Sequence, residues 1–277
     1  MITAGASQKE VFDSLFEKSI YQNKHLGWLD VWSLANVGGI VRIDQFLGKD
    51  FLLGIQPSGN NIWWLHSFYA SDDPEGYPLH ERLKYCLPSG RHSVYSISSH
   101  NWYCNLLKKN GFTKCDEIIQ METAEIILPK NNFDIEPSVF STSQTEEIRR
   151  FCESAFPPLW RFSKEEFSLA VKTSNYKIVI KVGTKTAAYL FADISDDNCH
   201  IQRIAVSPEY QNLGAGSKLV LKMINDARSC GINNFSVNTN SNNKAACHFY
   251  KGMNFKILDE MFPVYHEYVN SDLEYSK

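Results

Sequence analysis

A glycine-containing loop that joins a strand to a helix has the residue types best suited to binding a ligand. Residues 206–217 read Val-Ser-Pro-Glu-Tyr-Gln-Asn-Leu-Gly-Ala-Gly-Ser. Gly214 and Gly216 carry no side chains, so a ligand can approach their backbone closely. The N–H groups at the start of the helix, together with the helix dipole, favour a phosphate or pyrophosphate. Taken alone, the same residues fit an ordinary tight loop equally well.

A second group of residues further along the chain gives this loop its context. It comprises Asn243, the pair Ala245-Ala246, the pair Phe249-Tyr250 and the pair Asn254-Phe255. With it, residues 133 to about 270 resemble the GNAT superfamily of N-acetyltransferases, whose loop signature is V-x-P-x-x-[Q/R]-x-x-G-x-[G/A]. The family usually has glycine where this chain has Asn254, and asparagine is the next best residue for a left-handed cap. The positions that match the loop signature are Val206, Pro208, Gln211, Gly214 and Gly216.

The resemblance implies acetyl-CoA, or another acyl-CoA, as the donor substrate. The strand end Ile204-Ala205-Val206 would pair with the pantetheine through main-chain hydrogen bonds, as an added strand does. Asn243 would bond the pantetheine arm or order the loop beside it. Backbone amides would hold the pyrophosphate, and they belong to Gln211, Asn212, Leu213, Gly214, Ala215, Gly216 and Ser217.

Acyl transfer to an amine also needs a proton donor for the departing thiolate. Tyr250 occupies the position at which the family often places this general acid, and a phenol with a pKa of about 10 can serve. The alternative interpretation is a core tyrosine packed on the sheet beside Phe249.

The amine must lose a proton, and His200 is the candidate base because an imidazole titrates near neutral pH. Strand alternation predicts that the side chains of His200, Gln202 and Ile204 share one face. A structural histidine is the competing interpretation, with Glu209 or water as the base instead.

Three aromatic residues are predicted to bind the acceptor amine: Phe156, Trp160 and Tyr265. In the family the acceptor pocket lies between the first two helices and the last strands, and the apolar run 155–160 suits a lid or a wall there. Simple packing is the alternative. Neighbouring candidates are Leu159, Arg161, Phe262 and His266.

The elements that must position these residues follow from hydrophobic periodicity. From residue 135 the pattern predicts a strand, two helices, three strands, a helix, a strand, a helix and two strands. Three strands, a helix, a strand, a helix and a strand are predicted between residues 39 and 121, after a helix at 9–21. Because the two halves share this plan, we interpret the chain as a tandem duplication.

The expected fold class is therefore α/β (α+β), with two GNAT-like domains, each a mixed, largely antiparallel sheet flanked by helices. A polar, proline-containing linker near residue 131 separates a degenerate N-terminal domain, 1–130, from an acetyltransferase domain, 131–277. The first half has no counterpart of the glycine loop, so it is expected to lack the pyrophosphate site.

The composition limits the classes of molecule that the protein is expected to bind. A net charge of -3 offers no basic footprint for nucleic acid. Seven cysteines at scattered spacing, without a CxxC pair, indicate reduced thiols and no metal site. The N-terminus lacks a signal-peptide pattern, and no apolar run is long enough to span a membrane. These features predict a cytoplasmic protein whose partner is a small-molecule or peptide amine.

Two other functions compete with acetyl transfer from acetyl-CoA to a primary amine. One is a non-catalytic module that binds and senses acyl-CoA, since tandem GNAT-like chains contain inactive halves. The other is a transferase that uses aminoacyl-tRNA. Enzymes of that kind lack a good pyrophosphate loop, and the charge of this chain provides no obvious surface for tRNA.

Overall fold

The computed structural model describes residues 2–3, 13, 16–24, 39–127 and 133–271. It divides into two compact units. The first contains the described residues up to Glu117 together with those from Phe262 onward, and the second is Ile118–Met261. The predicted linker at residue 131 lies outside the described residues, as does most of the predicted helix at 9–21.

The first unit is built around a mixed sheet. Strands β3, β4 and β5 are antiparallel neighbours, β5 pairs with β6 in parallel, and β2 pairs with β5. Its elements are β1 (Ile2–Thr3), β2 (Tyr21–Lys24), β3 (Ile40–Phe46), β4 (Lys49–Gly59), β5 (Ile62–Ala70), α1 (Leu79–Lys84), β6 (Gly90–Ile97), α2 (Asn101–Lys109) and the first half of β7 (Thr113–Thr123).

Aromatic side chains dominate the core of this unit. Phe51 stacks on Tyr77 with ring centroids 4.1 Å apart, and Phe68 packs edge-on against Tyr77 at 5.6 Å. All three belong to one buried cluster with Leu residues of α1 and α2. Burial of such large rings supplies much of the hydrophobic stabilisation of a small unit.

The second unit repeats the strand plan of the first. Strands β9, β10 and β11 are antiparallel neighbours, and β11 pairs with β12 in parallel. Its elements are β8 (Ser138–Val139), α3 (Thr145–Ala155), α4 (Lys164–Thr173), β9 (Tyr176–Val182), β10 (Lys185–Ile194), β11 (Asn198–Val206), α5 (Ala215–Ser229), β12 (Asn234–Asn240), α6 (Lys244–Gly252) and the start of β13 (Lys256–Ser271).

Alternation along β10 builds a core on each face of the second sheet. Ala188 and Leu190 pack with the apolar stripe of α5. Tyr189 and Phe191 point to the other face and pack beneath α3 and α4. This is the period of two expected for a strand buried on both faces.

Strand pairing divides the chain at different points from residue 131. Residues Ile118–Asn240 are tied together because the second half of β7 pairs antiparallel with β12. In the first unit, Val264–Ser271 of β13 pairs with β6. The two C-terminal strands predicted from the sequence are one continuous strand, β13. The domain boundary at residue 131 and the tandem duplication remain predictions.

Within the described residues no helix combines the length and the apolar character required to cross a membrane.

Candidate functional site

The parallel strands β11 and β12 diverge halfway along their length. They pair only between Asn198–Ile201 and Asn234–Val237. On its other edge, β11 stays paired with β10 as far as Val206. Among the described residues, Gln202–Val206 therefore has no strand partner on the β12 side. An open strand edge of this length can take an extended ligand through main-chain hydrogen bonds.

A β-bulge lies where the divergence begins. Phe191 of β10 pairs with Arg203, whereas the next residue, Ala192, pairs with Ile201, so Gln202 is the extra residue. The bulge reverses the alternation, and Ile201 and Ile204 both pack on the core under α5. The expectation that Ile204 shares a face with His200 is therefore incorrect.

The loop after β11 is shaped by two left-handed residues. Asn212 has φ 61° and Gly214, the residue before α5, has φ 98°. Lys218 N–H donates to Gly214 O, which leaves the amides of Ala215, Gly216 and Ser217 without a partner inside the helix. Within the described residues no side chain caps this helix start. An uncapped first turn fits a phosphate group.

Gly216 lies close to β11 and α6 at the start of α5. A Cβ built there would lie 3.4 Å from Val206 Cγ2 and 3.5 Å from the Phe249 ring, which are ordinary van der Waals distances. Packing alone therefore does not require a glycine at this position. The side chain of Gln211 turns back and donates to Val206 O at 3.0 Å.

Tyr250 lies in α6 and is 3% exposed, with Phe249 and Phe255 at centroid distances of 5.1 and 5.4 Å. Burial raises the pKa of Tyr250 above its usual value, and within the described residues no charged neighbour or hydrogen bond adds to this shift. The phenol therefore stays protonated near neutral pH, as a general acid requires.

Asn243 is the N-cap of α6. Its Oδ1 accepts a hydrogen bond from Ala246 N–H at 3.1 Å. This local bond gives the residue a structural role at the end of the loop that follows β12.

His200 lies at the base of the divergence in a polar cluster. Its Nδ1 is 2.9 Å from Ser236 Oγ, which also accepts from Asn198 Nδ2 at 2.8 Å. Across the sheet, Asp193 is its direct neighbour on β10. Burial lowers the pKa of His200, and the Asp193 carboxylate opposes the shift.

Asp193 has one oxygen in use and one without a partner. Oδ2 accepts from Gln202 Nε2 at 2.5 Å, while Oδ1 is buried and has no hydrogen-bond partner within the described residues. A carboxylate in this state can receive a donor from a ligand or a water molecule.

Phe156 and Trp160 belong to the segment between α3 and α4, which Arg203 holds against the sheet. The Arg203 guanidinium lies 3.7 Å from the ring centroids of both Phe156 and Phe162. Its Nη2 donates to Trp160 O. Arg203 and Asp193 lie on the same face of the sheet as His200, so this segment covers the face that carries the polar cluster.

Tyr265 belongs to the first unit. It is 3% exposed in the core of the first unit, where burial and the neighbouring Cys104 raise its pKa to about 12. Phe156 and Trp160 belong to the second unit. The role of Tyr265 in binding the acceptor stays a prediction.

Sequence reasoning missed Asp193, Arg203 and Ser236. Each is an ordinary polar residue in or beside a strand, and its importance depends on which strand lies next to it. The one signal in the sequence that could have indicated these residues is the presence of a polar side chain at the inner end of a strand. Within the described residues, no group of three His, Cys, Asp or Glu side chains could hold a metal ion.

Comparisons with known proteins agree with this geometry. The Acetyltransferase (GNAT) family profile matches residues 142–255. No curated protein shows significant sequence similarity to the chain.

Solved structures share the fold over most of the chain. A GCN5-related N-acetyltransferase from Sphaerobacter thermophilus has a TM-score of 0.57 at 12% identity, covering 84% of this chain and 85% of its own. An acetyltransferase of the GNAT family from Colwellia psychrerythraea has a TM-score of 0.55 at 14% identity, covering 96% and 98%. A GCN5-related N-acetyltransferase from Kribbella flavida gives 0.52 at 10%, covering 86% and 92%.

The fold is that of the GNAT acetyltransferases, a mixed and mainly antiparallel sheet flanked by helices. The match to the Acetyltransferase (GNAT) family profile, residues 142–255, lies in the C-terminal half of the chain and within the second unit.

Proposed function

We propose that the chain is an acyl-CoA-dependent N-acyltransferase that transfers acetyl from acetyl-CoA to a primary amine of a small molecule or peptide. One observation carries the proposal: the open edge of β11 leads directly to an uncapped helix start at Gly214. An extended arm and a pyrophosphate are joined in that order in CoA.

The residues present fit such a donor. Main-chain groups of Ile204–Val206 would pair with the pantetheine arm. The amides from Gln211 to Ser217, at the positive end of the α5 dipole, would hold the pyrophosphate. The protein supplies these contacts mainly from its backbone, so binding depends more on loop conformation than on any one side chain.

The reaction is direct attack. The amine nitrogen forms a bond to the thioester carbonyl carbon, the carbon–sulfur bond breaks, and the electron pair leaves on sulfur. Two proton transfers complete it: the amine loses a proton and the thiolate gains one. We assign the first to His200, which is neutral near pH 7 because burial lowers its pKa, and the second to the Tyr250 hydroxyl.

The acceptor would approach over the face that carries His200 and Asp193. The segment bearing Phe156 and Trp160 would form one wall, fixed by Arg203. A primary ammonium is a donor that suits the free Oδ1 of Asp193.

A second candidate function is a non-catalytic module that binds acyl-CoA. The observation that favours it is the depth of Tyr250, which is 3% exposed and packed between two phenylalanines like an ordinary core residue. In that case CoA binding would persist, and no acyl transfer would occur with any amine.

A thermal melt with and without acetyl-CoA tests the shared part of both proposals. A ligand at ~100 times its dissociation constant stabilises the folded state by ~2.7 kcal/mol, which for a chain of this size is a shift of several degrees. Release of free thiol with a panel of primary amines then separates enzyme from binding module. The absence of any thermal shift would contradict both.

A further inference from the structure

The first unit contains the same divergence of parallel strands as the second. Strand β5 pairs in parallel with β6 over only three positions, Ile62–Trp64 with Ser93–Tyr95. Beyond Trp64 the ladder ends, as it does beyond Ile201 in β11. Each unit thus has a strand edge that becomes free where its parallel neighbour leaves.

In the first unit this edge is occupied by the chain itself. Strand β4 takes one edge of β5 along its whole length, from Ile62 to Ala70. Strand β2 pairs antiparallel with Ser67–Ala70. Since a strand has only two edges, Tyr21–Lys24 lies on the edge that β6 has left.

Side chains close the remaining gap. Asn23, 1% exposed, donates from Nδ2 to Ile97 O at the end of β6, at 3.4 Å. Ser96 Oγ donates to Leu65 O at 3.0 Å, where β5 and β6 begin to separate. Strand β2 is therefore bonded to β5 through its backbone and to β6 through a buried amide.

The loop after β5 differs from its counterpart in a second way. It carries Asp72, Asp73 and Glu75, whereas the loop after β11 carries Glu209 alone among acidic residues. Helix α1, which follows, has six residues and begins after Pro78 without a side-chain cap bond. Lys49 and Lys109 form ion pairs with Asp72 and Glu75, so these two charges are partly compensated. The remaining carboxylate of Asp73 and the short length of α1 disfavour a pyrophosphate here.

From these two observations we infer that strand β2 takes the place of a ligand in the first unit. It pairs with the edge of β5 that β6 has left, whereas the corresponding edge of β11 in the second unit stays open. The chain consequently has one acyl-CoA site and not two. The statement about CoA rests on the proposed function; the statement about β2 does not.

Hydrogen exchange on the full chain tests the role of β2. Peptides covering 62–70 and 16–24 should both be protected in the wild type. Asn23→Asp places a charge in the buried gap and should speed exchange in both peptides by about tenfold or more. Asn60→Asp, the same change at an exposed turn of this unit, should leave them unaltered.

Two results would overturn the inference about β2. One is free exchange of the 62–70 peptide in the wild type, and the other is faster exchange at 16–24 with no change at 62–70. If Asn23→Asp fails to fold, hydrogen exchange of the 62–70 and 16–24 peptides in Asn23→Ser and in the wild type still tests the role of β2.

Calorimetric titration with acetyl-CoA tests the count of sites. We expect one molecule per chain, lost completely in Gly214→Val. Binding of two acetyl-CoA molecules per chain would overturn the inference that β2 occupies the corresponding edge of β5. If none binds, the proposed function fails, and the exchange experiment alone decides the role of β2.

Discussion

Asp193 and His200 lie directly opposite each other across the antiparallel pair β10–β11, on the sheet face away from α5. The pairing sets a carboxylate beside an imidazole whose other partner, Ser236, comes from β12. Burial and the carboxylate act on the pKa of His200 in opposite directions, and burial is the larger influence.

This arrangement predicts the pH dependence of acyl transfer. Only the neutral imidazole can accept the proton of the amine, so kcat/KM should fall as pH drops through the pKa of His200. Because that pKa is lowered, the acid limb should lie below pH ~6.5, the usual value for histidine. His200→Gln should remove this limb and reduce the rate by about 10²- to 10⁴-fold.

Asp193→Asn removes the influence that raises the pKa of His200, so the acid limb should move to still lower pH. Asp196→Asn makes the same chemical change at an exposed position nearby and should leave the profile in place. If the wild type, Asp193→Asn and Asp196→Asn all give the same profile of kcat/KM against pH, the result would count against His200 as the base.

Gly214→Val should abolish binding of acetyl-CoA. At φ 98° a β-branched side chain is strained by about 1–3 kcal/mol, and the loop would rearrange at the helix start. Gly183→Val is the matched control, since Gly183 has φ 61° in the β9–β10 turn with nothing within 4 Å of a built Cβ. Both variants should melt earlier, while calorimetry should show lost binding in Gly214→Val alone.

Tyr250→Phe should reduce turnover by about 10²- to 10⁴-fold with little change in CoA affinity or melting temperature. The reason is that its hydroxyl makes no hydrogen bond that contributes to stability among the described residues. Tyr176→Phe should do the opposite. It loses the bond from Tyr176 to Asp226 Oδ2 at 2.7 Å, which costs about 1 kcal/mol of stability, and keeps its turnover.

Measured thiol release and melting curves of the two tyrosine variants are then compared. If Tyr250→Phe keeps its turnover, Tyr250 has a purely structural role and is not the general acid.

Arg203→Lys should loosen the segment between α3 and α4. A lysine cannot stack between Phe156 and Phe162 as the planar guanidinium does, and two such contacts contribute about 1–2 kcal/mol. We expect a lower melting temperature and a raised KM for the amine, with the affinity for acetyl-CoA unchanged.

Arg150→Lys provides the control for Arg203→Lys, because the Arg150 side chain is 74% exposed in the same region of the chain. It should alter neither the melting temperature nor the KM. Equal behaviour of the two variants would show that the segment is held by other contacts.

Much of the secondary structure of the second unit could be predicted from local sequence patterns. Apolar spacing predicts a helix over 217–228, which is observed over 215–229, and two glycines in a family pattern indicate the loop before it. These features are local: periodicity and backbone preference act over a few residues. Even there, the sequence could not show that Gly216 lies against Val206 and Phe249 at distances that leave room for a Cβ.

By itself, then, the sequence determined the class of fold, the approximate positions of most helices and strands, and the loop that we propose binds the donor. Tertiary structure decided the bulge at Gln202, the polar neighbours of His200, the pairing of β7 with β12, and the insertion of β2 beside β5. The physical reason is that strand register and strand neighbours depend on contacts between residues far apart in the chain. A single extra residue in a strand reverses which side chains meet, and no local pattern announces it.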